Sequence, residues 1–129
     1  MTAFQGFFAG LIATVVMLVC VVATGLLGKR RAHVPLVAAF FGALALTIVM
    51  AVKMGESLDL SQAGWVTPVH LTMARVNLFA YLLPVATGVL TLRDARWRPK
   101  HKLFAWSLVV LTLLTVATGT WMALASRVE

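Results

Sequence analysis

Acidic side chains are nearly missing: the 129 residues hold four Asp and Glu against eleven Lys and Arg. Those four, Glu56, Asp59, Asp94 and Glu129, fall in connections or at the terminus, so the apolar segments carry no carboxylate pair for acid–base work or proton pumping. The one cysteine, Cys20, cannot form an internal disulfide and leaves the redox compartment undetermined. The plain reading is a buried inert thiol; a ligand or lipid anchor is the other, although "VVMLVC" lacks the small residues expected ahead of a lipidated cysteine. A phosphate-cradling glycine loop, a two-cysteine redox pair and a HExxH zinc motif are also absent. Nothing here resembles enzyme machinery.

Charge of either sign is scarce, at 12% against 61% hydrophobic residues, and the mean hydropathy is +0.96. That is the composition of a membrane protein. Four apolar segments, Phe4 to Leu27, Val34 to Met54, Thr67 to Leu92 and Lys102 to Ser126, are each long enough to cross a hydrocarbon core of ~30 Å at ~1.5 Å per residue. The first lacks the basic n-region of a signal peptide and is expected to be a retained helix. Short connections make consecutive helices antiparallel neighbours, so the expected fold is all-α: one polytopic domain over residues 1–129, an up-and-down four-helix transmembrane bundle.

The net charge of +7 lies in the connections, where it suits membrane topology and offers no surface for nucleic acid. Lys29, Arg30 and Arg31 mark the first connection, and Arg93, Arg96, Arg98, Lys100 and Lys102 surround the third; the second sets Lys53 against Glu56 and Asp59. The positive-inside rule puts the first and third in the cytoplasm and both termini on the other side, as in a protein integral to a bacterial inner membrane. Trp65 and Trp121 then fall near the outer boundary, Trp97 and Trp106 near the cytoplasmic one.

The tetrapeptide "VATG" occurs at 22–25, 85–88 and 116–119, and the first two copies each precede a basic connection and then a histidine. Either two hairpins are related, or the repeat is a coincidence in a chain rich in these residues. Small residues let helix backbones approach closely in both cases, and "GFFAG" at 6–10 is a packing face of the same kind, for an internal or a neighbouring helix.

Each histidine has a proline two residues away, Pro35 after His33, Pro68 before His70 and Pro99 before His101, which places it at or near a helix start. Helix N-termini and nearby cations disfavour further positive charge, and the neutral ring is the metal-binding form. His33 and His101 share the cytoplasmic side on diagonal segments. A b-type haem between them is one reading, with its propionates among Arg30, Arg31, Arg96 and Arg98. The other is three interfacial polar side chains and no cofactor, favoured by the shallow depth of the rings. His70, on the opposite side, has no histidine partner there; with Met73 one turn along it is a candidate copper contact.

In "HLTMARVNLFAYLLP" the residues His70, Ala74, Asn77 and Tyr81 share one helical face, and Arg75 stands off it. A cation roughly two turns into a span costs ~2.5–3.5 kcal/mol unless it snorkels or is paired, so Arg75 is expected to face protein, a propionate or quinone oxygen, or a water-filled cavity. Pro84 is expected to kink this helix and free a carbonyl.

"KRRAHVPL", "HLTMAR" with "LLP" beyond it, and "RPKHKLFAW" followed by "VATGTWM" resemble the CtaM-like family of small four-helix membrane proteins, over roughly residues 25 to 123. That family is implicated in maturation of haem-copper oxidases, and the resemblance implies His33, His70 and His101 as haem or copper contacts. Small membrane cytochrome b subunits look similar too. The residues themselves suggest a non-enzymatic subunit in contact with lipid and with other membrane subunits of an electron-transfer complex. A purely structural subunit and an assembly factor are the alternatives.

Overall fold

The computed structural model describes residues 2–126; Met1 and residues 127–129, including the Glu129 counted above, lie outside the described residues. The fold is all-α. Four helical stretches are long and apolar enough to cross a membrane, namely Ala3–Leu26, Arg30–Gly55, Val66–Arg93 and Ala95–Ala125. The chain divides into two compact units at Leu58 and Asp59.

The first unit is a hairpin of α1 (Ala3–Leu26) and α2 (Arg30–Gly55). A capping box starts α1: the Gln5 amide donates to Thr2 Oγ1 at 3.2 Å, and the Thr2 amide donates back to Gln5 Oε1 at 3.0 Å. The turn follows from Gly28, whose φ of +67° only glycine adopts without strain. Around it the amides of Lys29 and Gly28 close back on the carbonyls of Thr24, at 2.9 Å, and Gly25, at 3.3 Å, as in a Schellman motif. Helix α2 begins four residues earlier than the apolar segment suggested, so Arg30 and Arg31 form its first turn. Pro35 lies inside it, early enough to remove only the donor for the Arg31 carbonyl.

Phe7, Leu18, Phe40 and Met54 are buried in this unit, together with two threonines. Thr14 Oγ1 and Thr47 Oγ1 meet at 2.9 Å across the hairpin, and each also lies 2.8 Å from the carbonyl four residues back in its own helix, so one hydroxyl donates across the hairpin while the other donates to its own helix. Gly10 makes room for this pair: a Cβ there would stand 2.8 Å from Thr47 Oγ1. Pairing positions 14 and 47 near mid-helix, and 24 and 33 beside the turn, is the signature of antiparallel helices.

The second unit packs α3 (Val66–Ala80) and α4 (Leu82–Arg93) in series along α5 (Arg98–Ala125). The expected single helix over 67–92 is interrupted at Tyr81. The cause is Pro84, which has no N–H for the Ala80 carbonyl. Short 3₁₀ turns precede α3 (Leu60–Ala63) and α5 (Ala95–Trp97), and an aspartate caps each. Asp59 accepts from the Ser61 amide at 3.1 Å, and Asp94 from the Arg96 amide at 2.9 Å. At the α3 start, Ala63, Val66 and Met122 are buried together, and Trp65 meets Trp121 edge-on at 6.1 Å, as expected of two rings on one boundary.

Outside these contacts the helices present apolar side chains: Ile12 and Val19 on α1, Val52 on α2, Phe79 on α3 and Val110 on α5 are all more than half exposed. Lipid contact accounts for such a surface, because hydrocarbon gives no reason to bury it. The helices adhere instead through small and polar residues.

Candidate functional site

Each histidine rests on a "VATG" copy of the helix packed against its own. His33, in the first turns of α2, points its Nδ1 at the end of α1, 3.2 Å from Thr24 Oγ1 and 3.0 Å from the Val21 carbonyl. His101, at the start of α5, points its Nδ1 at α4, 3.4 Å from Thr87 Oγ1 and 3.0 Å from the Pro84 carbonyl. His70, at the start of α3, has its Nδ1 3.1 Å from Thr118 Oγ1 near the end of α5, and its ring also donates to the Thr115 backbone. In all three the carbonyl belongs to the residue three before the threonine.

Glycine completes each seat. A Cβ on Gly25 would lie 3.1 Å from His33 Cε1, on Gly88 3.2 Å from His101 Cε1, and on Gly119 2.6 Å from His70 Cε1. The ring edge therefore occupies the space a side chain would take. The threonine hydroxyl is committed to its own helix, donating to the carbonyl four residues back at 2.8 Å from Thr24, 2.7 Å from Thr87 and 2.9 Å from Thr118. Its oxygen and the nearby carbonyl are left as acceptors. Since a carbonyl only accepts, Nδ1 of His33 and of His101 must carry the proton, and the lone pair of the neutral ring then resides on Nε2.

All three copies of the tetrapeptide thus have the same use, as a seat for a histidine ring. The third "VATG" copy, which no basic connection follows, holds His70 from a helix 48 residues away in sequence. The residues missed as candidates are thus Thr24, Gly25, Thr87, Gly88, Thr118 and Gly119. The signal was the tetrapeptide itself.

Between its two seats the second unit buries a polar cluster. Asn77 Nδ2 donates to Thr112 Oγ1 at 3.3 Å and to Thr115 Oγ1 at 3.5 Å, and Tyr81 OH meets Thr112 Oγ1 at 2.7 Å. The shared face of His70, Ala74, Asn77 and Tyr81 is the face turned toward α5. Arg75 is off it as expected, but it is exposed and makes no hydrogen bond or ion pair among the described residues. The apolar Val76, Leu78 and Phe79 around it are exposed too.

Arg30, Arg31, Arg96 and Arg98 are exposed at the helix ends that carry His33 and His101. Lys100 Nζ lies 4.7 Å from the centre of the Trp97 ring beside them, a cation–π contact. Among the described residues no three His, Cys, Asp or Glu side chains converge, so a closed metal site of protein ligands is not formed; Cys20 is a partly buried free thiol. No family model, curated protein or solved structure matches the chain, and the geometry alone carries the functional reading.

Proposed function

We propose that the chain is a small, non-enzymatic membrane subunit of a respiratory or other electron-transfer complex, and that His33 and His101 are the residues that would hold a b-type haem. One observation carries this reading: each ring holds its Nδ1 3.0 Å from a backbone carbonyl. Haem and metal histidines are oriented in this way, because an Nδ1–H bond to a carbonyl fixes the ring, selects the tautomer and raises the basicity of Nε2. Both rings sit beside a basic connection, so the positive-inside rule puts them on one side of the membrane, with Arg30, Arg31, Arg96 and Arg98 at hand for propionates. Such a haem would supply one-electron redox chemistry. The protein holds two imidazoles in one tautomer, keeps them seated on glycine, and provides cations at the membrane surface.

The test is the absorption spectrum of the purified protein. A bis-histidine haem gives a sharp band on reduction, and His33→Ala or His101→Ala each removes it while His70→Ala leaves it in place. Loss of that band only with His70→Ala overturns the pairing. Cysteine labelling gives the topological check, reporting 28–32 and 93–100 on the same, cytoplasmic face. For the subunit role, native mass analysis after mild extraction shows partner proteins; a lone 13.9 kDa species argues for a free-standing carrier instead.

A further inference from the structure

The two hairpins hold their helices in one register. Thr24 on His33 and Thr14 on Thr47 in the first answer to Thr87 on His101 and Asn77 on Thr115 in the second, with the same spacing along each helix: 14 to 24 as 77 to 87, and 33 to 47 as 101 to 115. The buried side chains follow it, Leu18 matching Tyr81, Phe40 matching Leu108 and Met54 matching Met122. In this register Ile12 of α1 takes the place of Arg75 of α3, and both are exposed. The first hairpin therefore builds the same helix pairing with an apolar residue where the second has a cation. Packing within the hairpin does not call for Arg75.

Arg75 also lies deep. The rise from Val66 to Arg75 is about 13 Å along α3, counted from the end that Trp65 marks, which is farther than the arginine side chain extends. It has no hydrogen bond or ion pair among the described residues. Leu71, Leu78 and Phe79, all exposed, stand at helical spacing before and after it, so the cation is set within one apolar stripe suited to another helix. A guanidinium in hydrocarbon is stabilised by an ionised acid, whose two oxygens its planar fork matches. This chain, or a second copy of it, has none to offer: Glu56, Asp59, Asp94 and Glu129 all fall outside the spans. We infer that the Arg75 face of α3 docks a transmembrane helix of a different protein, one that carries an aspartate or glutamate at the depth of Arg75. This deepens the subunit reading by naming the contact face and the chemistry of one partner, and it uses nothing of the haem.

A synthetic probe tests it. The full chain is reconstituted in phosphatidylcholine vesicles with a polyleucine transmembrane helix bearing one glutamate at the matching depth, and association is read by energy transfer. The same helix with glutamine there is the control. The glutamate helix is expected to bind the native chain about tenfold more tightly than the glutamine helix, the lower end for close charge pairs across an interface. Arg75→Ile, which installs the residue the first hairpin carries in this register, should bind both helices equally. Arg75→Glu should turn the preference toward a polyleucine helix with arginine at that depth, which a merely structural role for Arg75 does not predict. Equal binding of the two helices by the native chain, or a glutamate preference that survives in Arg75→Ile, overturns the inference. Equal binding together with phosphatidylglycerol retained by the native chain and not by Arg75→Ile in native mass analysis assigns the cation to a lipid phosphate, and overturns it too. Unfolding of Arg75→Ile in detergent close to native shows that a lost preference is not lost fold. The probe is not a natural partner, so failure here strikes the α3 face and leaves the subunit reading to its own test by co-purifying proteins.

Discussion

The first hairpin joins its two helices with one threonine pair and one histidine seat, whereas the second uses two seats, a buried Asn77–Thr112–Thr115–Tyr81 cluster and a broken helix. The difference follows from what each has to bury. The spans of α1 and α2 carry no charged side chain between their ends, while the third span has Asn77, Tyr81 and Arg75 in its middle. Asn77 and Tyr81 find their partners on α5, so the second hairpin has more directional contacts and less freedom to slide.

Arg75 offers the largest handle on this contrast. It is exposed, it is unpaired among the described residues, and its Cα–Cβ bond tilts toward the α3 start, the direction in which it can snorkel. In a glycosylation-mapping insertion assay Arg75→Leu is expected to favour insertion of the 66–93 span by up to ~2.5 kcal/mol, the lower end of the cost of a central cation. No single substitution in α1 or α2 has a comparable charge to remove. An unchanged insertion efficiency would mean that Arg75 already reaches water or a phosphate at no cost.

Second in size are the seat glycines. Overpacking a filled contact costs about 1–3 kcal/mol, and Gly119→Ala, with its Cβ 2.6 Å from His70 Cε1, should cost about 2 kcal/mol. Gly25→Ala and Gly88→Ala, at 3.1 Å and 3.2 Å, require shifts of only a few tenths of an ångström and should cost less. Unfolding in detergent gives the order; Gly25→Ala being the most disruptive would contradict the geometry.

The polar clusters come third. Interhelical hydrogen bonds in membranes average ~0.6 kcal/mol and reach ~1.7, so Thr47→Val, which removes one cross-helix bond, should cost near the average, and Asn77→Ala, which removes several, near the maximum. Equal losses would show that the second hairpin gains nothing from its cluster.

The all-α class and the four spans were legible because length and apolarity set them before any packing detail. The helix boundaries were not, since Arg30 and Arg98 continue helices that hydropathy ends at the first cation. Spacing put Asn77 and Tyr81 on one face, and the structure turns that face to α5. The seats were half visible: "VATG" stood out three times, but periodicity along one helix says nothing about which residue of another helix lands on it. For His70 the partner lies 48 residues away, and only the antiparallel register of α3 on α5 joins them.

The smallest expected effect concerns the turns. Lys29 before α2 makes no side-chain cap, and that turn relies on Gly28. Asp59, before α3, instead accepts from the Ser61 hydroxyl at 2.6 Å, the Ser61 amide at 3.1 Å and Gln62 Nε2 at 3.4 Å. The Ser61 hydroxyl and amide, followed by Gln62, hold the Asp59 carboxyl below its ordinary range. A carboxylate lowered in the folded state contributes above its unfolded pKa of ~3.9, and that contribution fades as the pH falls through the folded value. Acid should therefore loosen the 60–63 turn and leave the Gly28 turn unchanged. Amide exchange at Ser61, expressed as protection relative to the unstructured rate at each pH, is expected to fall below about pH 3.9, and Asp59→Asn should remove that pH dependence. The carboxylate is fully exposed, so the unfolding midpoint should hardly move. Parallel loss of protection at residues 28–30 would mean that acid acts on both hairpins through something other than Asp59.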